Sequence, residues 1–405
     1  MIHVVFVAPF FGENMRHCLR CLLDLPDVQL GVITQEPEQR VPAGIRERLA
    51  AHYRVDDAND AQQLVTAARH VEQRWGRIDR LESYLEMLQV PVAEARDRLG
   101  LPGIGAEVAR NFRDKNRMKE VLRAAGVPVA RQALVHDAED ARRFAAEVGY
   151  PIVLKPLAGL GARNTQRATD EVSLASALNT LLPSRANPAQ AEEFVSGEEH
   201  TFETVTIDGR SVWSSSVSYL PSPLQVLENA WMQYCLVMPR EPDAEHVRAF
   251  APINEKALAA LGLRHGISHM EWFLRERGGP VVSEVGARPP GANIMPLLRA
   301  AHGADPWAAW ARLIVHGAWE LPPRQFAAGC VFLRAMGGGP VVRAVHGVEA
   351  MRARIGASIV ELELPQPGQP RSTHYEGDGF VIVRAAATQG VVDAMREVLG
   401  NVRIV

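Results

Sequence analysis

The chain has 405 residues, 47% hydrophobic and 22% charged, which is apolar surface enough for two or three packed domains and excludes a disordered chain. Lysine and arginine number 44 against 47 aspartates and glutamates, a formal net charge of −3, so no basic field exists to hold a nucleic-acid backbone and no nucleic-acid partner is expected. Proline and charge interrupt every apolar stretch before the roughly 18 residues of a membrane span, so no membrane partner is expected.

Four cysteines are too few for a stapled secreted scaffold, and the opening MIHVVFVAPFFGENMR lacks a basic leader, so a cytoplasmic protein is expected. In chain order, Ile2 to Ala8 is a β-branched apolar run suited to a buried parallel strand. Met15 to Leu25 reads as a helix, Gln29 to Thr34 as a second strand, and Ala61 to Trp75 and Ser83 to Leu99 as further helices, the last stopped by Gly100-Leu-Pro-Gly. This alternation predicts an open α/β domain over residues 1–110. Gly103-Ile-Gly105 lacks a third glycine and follows no strand, which makes a dinucleotide-dependent dehydrogenase the least favoured reading. Cys18 and Cys21 form a CxxC pair that could be redox active or half of a zinc site, but no second pair completes such a site. Two small helix residues one turn apart are the simpler reading.

A second unit, 111–195, begins with a basic amphipathic helix, Asp114 to Ala125, closed by Gly126-Val-Pro128, and includes a strand at Ile152 to Lys155. The loop PSRANP leads into a short strand, Gln190 to Val195, ending at a hinge, Ser196-Gly197. In the unit 196–322, Asp208-Gly209 marks a hairpin, Ala244 to Leu261 a helix, and Ile267 to Leu274 with Val281 to Val285 a second hairpin. Leu321-Pro-Pro323 opens a last module, 323–405, that alternates strands with a helix near Val391 to Leu399. Its Gly337-Gly-Gly-Pro is followed by no lysine or helix start, so it reads as a turn.

Two lysines carry a chemical signal. Lys115 opens a helix in RDKNRMK, and Lys155 ends an apolar strand, where a lysine is costly unless it meets an anion or reaches solvent. Gly159 and Gly161 follow Lys155 and allow close backbone approach to a phosphate, although the order is not that of a Walker loop. In Glu192-Glu193-Phe194-Val195-Ser-Gly-Glu-Glu199, backbone groups could read an adenine edge and a carboxylate could hold ribose hydroxyls; solvated loop acids are the alternative. Glu271 in HMEWFL and Glu284 in VVSEVGAR fall at matching depth on neighbouring antiparallel strands. Two buried carboxylates there require a cation between them, magnesium being the natural choice and manganese the alternative, unless one is exposed and the other ion-paired. Arg288 would bring a planar cation to the same mouth.

These motifs, in this order over residues 111–300, resemble the ATP-grasp superfamily. HMEW followed by SEVGARPPG is similar to its L-amino acid ligases, the dipeptide-forming enzymes of the bacilysin-pathway type. The resemblance implies an ATP-grasp fold of mixed α/β and α+β class: an N-terminal open α/β domain, a lid subdomain and a C-terminal α+β domain. It implies an ATP-dependent ligase that activates a small-molecule carboxylate as an acylphosphate and joins it to an amine, releasing ADP and phosphate. Lys115 and Lys155 would contact ATP phosphates under a lid at Ala158 to Thr165, Glu192 to Val195 would hold adenine, and Glu199 ribose. Glu271 and Glu284 would bind magnesium, and Arg288 would stabilise the intermediate. Gly286 stands where many members carry Asn, which removes one metal ligand. His200, Trp231 and Glu228 are candidates for the amino acid pocket. A non-amino-acid carboxylate substrate, or an ATP-binding relative without ligase activity, are the alternatives. A homodimer is the expected assembly.

Overall fold

The structure is a computed structural model and describes residues 1–157 and 164–405. Its first sheet is parallel, in the spatial order Ala51–Arg54, Val28–Thr34, Ile2–Val7, Arg80–Glu82. Period-two alternation along the central strand explains the layers. Val4 and Phe6 face helix Glu13–Leu23 and, beyond it, helix Pro306–His316. Val5 and Val7 face helices Ala61–Trp75 and Gln89–Leu99. Helix Ala61–Trp75 begins where Asp60 accepts the Gln62 and Gln63 N–H groups and stops at Gly76, whose φ of +99° suits glycine.

The second sheet is antiparallel, in the order Gln132–Val135, Ala189–Glu193, Ile152–Pro156, Gln166–Ala168, and buries one face under helices Ala138–Val148 and Glu171–Leu181. The strand expected to run to Val195 leaves the ladder after Glu193. The third sheet has eight strands, all antiparallel: Gly279–Gly286, Gly266–Arg275, Glu198–Ile207, Arg210–Leu220, Tyr234–Met238, Ala327–Leu333, Gly379–Ala385 and Ile359–Glu363. The expected turn at Asp208-Gly209 joins two of them, both residues having positive φ (51° and 77°) as a two-residue hairpin loop of the primed type requires. Three strands from the last 80 or so residues thus continue this one sheet, while Val345–His346 and Arg403–Ile404 pair in a small sheet of their own.

Alternation in the large sheet decides which residues can do chemistry. Met270, Trp272 and Phe202 turn to helix Glu245–Leu261, where Trp272 stacks on Phe250 at 4.1 Å. His269 and Glu271 therefore face the other way, toward the second sheet. Among the described residues no helix is long and apolar enough to cross a membrane.

Candidate active site

A cavity of about 410 Å³ lies between the second and third sheets. The structure brings together at it Lys115, Lys155, Glu192, Glu193, Phe194, Val195, Glu199, Glu271, Glu284 and Arg288, from segments far apart in sequence. Gly159 and Gly161 lie outside the described residues; Thr165, at the end of the expected lid turn, lines the cavity.

One wall is cationic. Asp114 caps helix Lys115–Ala124 by accepting the Asn116 and Arg117 N–H groups, and the helix presents Lys115 and Lys119, four residues apart, on one face. Glu192 sits between Lys119 (2.6 Å) and Lys155 (2.8 Å) and also accepts a hydrogen bond from Gln190. Burial opposes its charge, but the two ammonium groups outweigh it and hold the carboxyl at about 2. Burial pulls Lys119 down to about 8, only partly offset by Glu192. Lys155 is likewise opposed by burial, yet Glu192 and Glu284 push it above its ordinary value. The Glu192 side chain is thus engaged by Lys119 and Lys155, and Glu193 binds Arg131 at 2.7 Å, so what this segment offers a ligand is backbone and the Phe194 ring. Arg167 lies over that ring at 5.2 Å and pairs with Glu228 at 2.6 Å. The next turn passes so close to strand Gly266–Arg275 that a Cβ at Gly197 would lie 2.4 Å from the Leu274 carbonyl oxygen.

The opposite wall is anionic. Glu271 and Glu284 are direct cross-strand partners, as the sequence pattern predicts, and Glu199 lies diagonally beside Glu271 on the same face. Glu284 pairs with Lys115, whose charge, with that of Lys155, holds it below the usual carboxylate range against burial. Glu271 accepts a hydrogen bond from the Tyr219 hydroxyl at 3.3 Å. Burial and the adjacent Glu271 charge push Glu199 well up, toward its neutral form. His269, at 2.9 Å from Glu203 and 3.7 Å from Glu271, is opposed by burial but raised to about 9 by these acids. An all-oxygen cluster in which one acid is driven neutral by its neighbour fits a hard divalent cation such as magnesium. At Gly286 a Cβ would meet the Arg288 side chain at 3.5–3.6 Å, so the glycine leaves open the space beside that guanidinium.

Arg288 is held by Glu86, through Nε at 2.9 Å and a terminal nitrogen at 2.6 Å, and donates to the Pro289 carbonyl. Glu86 comes from the first domain, and Tyr375, also at the cavity, from the last 80 or so residues. Sequence reasoning missed both, together with Lys119, Tyr219 and His269. Lys119 and His269 had legible signals, the i,i+4 spacing from Lys115 and the period-two spacing from Glu271. The three candidates for an amino acid pocket fall elsewhere. His200 is buried against Trp272 and hydrogen-bonds Ser218; Trp231 is exposed on a separate apolar groove; Glu228 meets Arg167. His200 lies on a strand, Glu228 at the end of a helix and Trp231 in a turn, so no shared local pattern could place them on one pocket wall.

Residues 114–197 match the family described as carbamoyl-phosphate synthase L chain, ATP binding domain. The chain is 27% identical over 270 residues to an alanine–anticapsin ligase of Bacillus subtilis (strain 168), covering 62% of this chain and 56% of that protein. It spans about half the length of the curated relatives it matches. Among solved structures, an L-amino acid ligase from Bacillus licheniformis superposes with a TM-score of 0.78 at 18% identity, covering 100% of this chain and 98% of that one. A biotin carboxylase domain dimer from Hydrogenobacter thermophilus, solved with MgADP, superposes at 0.70 with 19% identity, covering 99% and 90%. The chain shares the fold of these proteins, the ATP-grasp fold.

Proposed function

We propose that the chain is an ATP-dependent carboxylate–amine ligase acting on amino acids, which forms an amide bond through an acylphosphate and releases ADP and phosphate. The observation that carries this reading is the pairing of two oppositely charged walls across one cavity, lysines on one side and carboxylates on the other. A nucleotide polyphosphate with a divalent cation complements both walls at once, and the similarity to the alanine–anticapsin and L-amino acid ligases supports amino acids as the substrates.

In this reading Lys115 and Lys155 bind the phosphates, and Lys119 with Glu192 keeps Lys155 in place. Backbone groups of Glu192 to Val195 meet the adenine, and Glu199, kept toward its neutral form, exchanges hydrogen bonds with ribose hydroxyls. Glu271 and Glu284 would hold magnesium, with manganese as a substitute. The bound ion would neutralise charge on the phosphates during transfer. Lys115, which pairs with Glu284, would turn its charge to the transferred phosphoryl group if a cation took its place beside that carboxylate. Arg288, fixed by Glu86, would offer its remaining N–H hydrogens and its charge to the oxyanion that forms when the amine attacks the acylphosphate. No side chain acts as nucleophile, so catalysis rests on charge placement and exclusion of water.

The test is ADP and phosphate release with ATP and magnesium against the twenty amino acids in pairs, with mass spectrometry. A product with the mass of one pair less water is the expected result. ATP bound without turnover on any pair would count against amino acid substrates. We also propose a homodimer, an assembly that the Hydrogenobacter domain shows in its own structure.

A further inference from the structure

The cavity leaves unexplained the CxxC pair on helix Glu13–Leu23. Cys18 is fully buried in the core beneath the parallel sheet and packs as a small apolar residue. Cys21 has different surroundings. It follows His17 by four residues, on one helix face, and both reach across to Asp305 at the start of helix Pro306–His316. The His17 Nε2 to Asp305 Oδ2 distance is 2.6 Å, Cys21 Sγ to the same oxygen 3.5 Å, and Cys21 Sγ to His17 Nε2 3.8 Å. Asp305 is oriented from behind: its Oδ1 accepts the Trp307 N–H at 3.0 Å and caps the helix, which turns Oδ2 toward the other two donors. The His17 and Asp305 side chains keep 34% and 29% of their exposure, so the group opens to solvent on one side. None of the three lines the nucleotide cavity.

We propose that His17, Cys21 and Asp305 form a second, separate cation site, for a borderline divalent ion of the zinc class, with its fourth position open to water. A tetrahedron with arms of about 2.0–2.1 Å to nitrogen and oxygen and about 2.3 Å to sulfur has edges of roughly 3.3–3.6 Å. The cysteine–aspartate separation already matches, and the cysteine–histidine separation is within a few tenths of an ångström. The histidine–aspartate gap must open by roughly 0.7 Å, a small rotation of the partly exposed His17 ring away from the anchored Asp305. Sulfur, nitrogen and oxygen donors together select zinc-like ions over magnesium, which takes oxygen alone. On binding, Cys21 gives up its thiol proton to solvent and ligates as thiolate. The ion would tie helix Glu13–Leu23 to helix Pro306–His316, joining the first domain to the half built on the large sheet.

The full chain, stripped with a chelator and kept in excess magnesium to fill the cavity carboxylates, is titrated with cobalt(II), whose thiolate complexes absorb in the near ultraviolet. The expected result is a single equivalent bound with that charge-transfer band and displaced by zinc. The band is lost in Cys21→Ser, retained in Cys18→Ala, and affinity falls at least about tenfold in His17→Gln, a partly exposed position that tolerates change. Absence of the band at stoichiometric cobalt, or its persistence in folded Cys21→Ser, would overturn the proposal. Should Cys21→Ser not fold, undiminished affinity in His17→Gln would overturn it equally.

Discussion

The two sheets that wall the cavity bring it charge of opposite sign and compensate that charge differently. On the second sheet and its neighbouring helix, Lys119 and Lys155 share Glu192 as an internal counter-ion, which fixes both ammonium groups and leaves that wall with positive charge in excess. On the large sheet, Glu199, Glu271 and Glu284 stand on adjacent positions of one face, and their compensation comes from Lys115, from His269 and from the partial neutralisation of Glu199. The first arrangement is a finished scaffold that holds a cation ready. The second is complete only when something positive arrives. A fold that keeps one wall settled and the other in deficit spends its stability where substrate does not bind and stores its binding capacity where substrate does.

The contrast breaks most sharply at Glu192. Glu192→Ala leaves two buried ammonium groups unpaired and should cost about 3–5 kcal/mol of stability, read as a fall in the urea midpoint. On the other wall the cost should appear mainly as lost chemistry: Glu284→Ala and Arg288→Ala are expected to lower turnover by about 10²–10³-fold, with a smaller fall in the urea midpoint than Glu192→Ala because each strands one partner, Lys115 or Glu86, rather than two. A midpoint shift as large as that of Glu192→Ala would erase the distinction between the walls. The same asymmetry sets a pH dependence. Glu192 is held at about 2 against a reference of 4.5, so its contribution is fully present above 4.5 and is lost as pH falls toward 2. That limb is worth about 3 kcal/mol and should be missing from the stability profile of Glu192→Gln. Lys155→Ala should weaken nucleotide binding by about tenfold with a smaller effect on stability, since the lysine contributes charge rather than packing; unchanged affinity would move the phosphate site elsewhere. The smallest effect is expected at Glu86→Gln, which keeps the shape but loosens the Arg288 anchor, lowering turnover by up to about tenfold with nucleotide affinity unchanged.

How much of this was legible in the sequence follows from the range of each interaction. That Glu271 and Glu284 lie on neighbouring strands could be read from two apolar runs around a short Arg-Glu-Arg-Gly-Gly turn, but their direct pairing depends on a β-bulge beside Glu271 that strict period-two alternation does not announce. Helix Ala61–Trp75 and the hairpin at Asp208-Gly209 came from local signals, a helical pattern and a turn dipeptide. The strands Ala51–Arg54 and Arg80–Glu82 escaped notice because each is too short to show a period. The anchoring of Arg288 by Glu86 joins residues 202 apart, and nothing in either neighbourhood announces the other. The addition of Ala327–Leu333 and Gly379–Ala385 to the large sheet, which brings Tyr375 to the cavity, is equally non-local. Lys119 stood in plain view four residues from Lys115; what hid it was that a basic helix face reads as solvated until its buried partner, Glu192, is known.

The most direct test of the two-wall arrangement is calorimetric titration of ATP into the protein with and without magnesium, in the wild type and in the double variant Glu271→Gln, Glu284→Gln. The arrangement predicts that magnesium tightens ATP binding to the wild type by tenfold or more, and that this gain disappears in the double variant while magnesium-free binding persists on the lysine wall. An equal magnesium effect in both proteins, or no ATP binding in either, would contradict it.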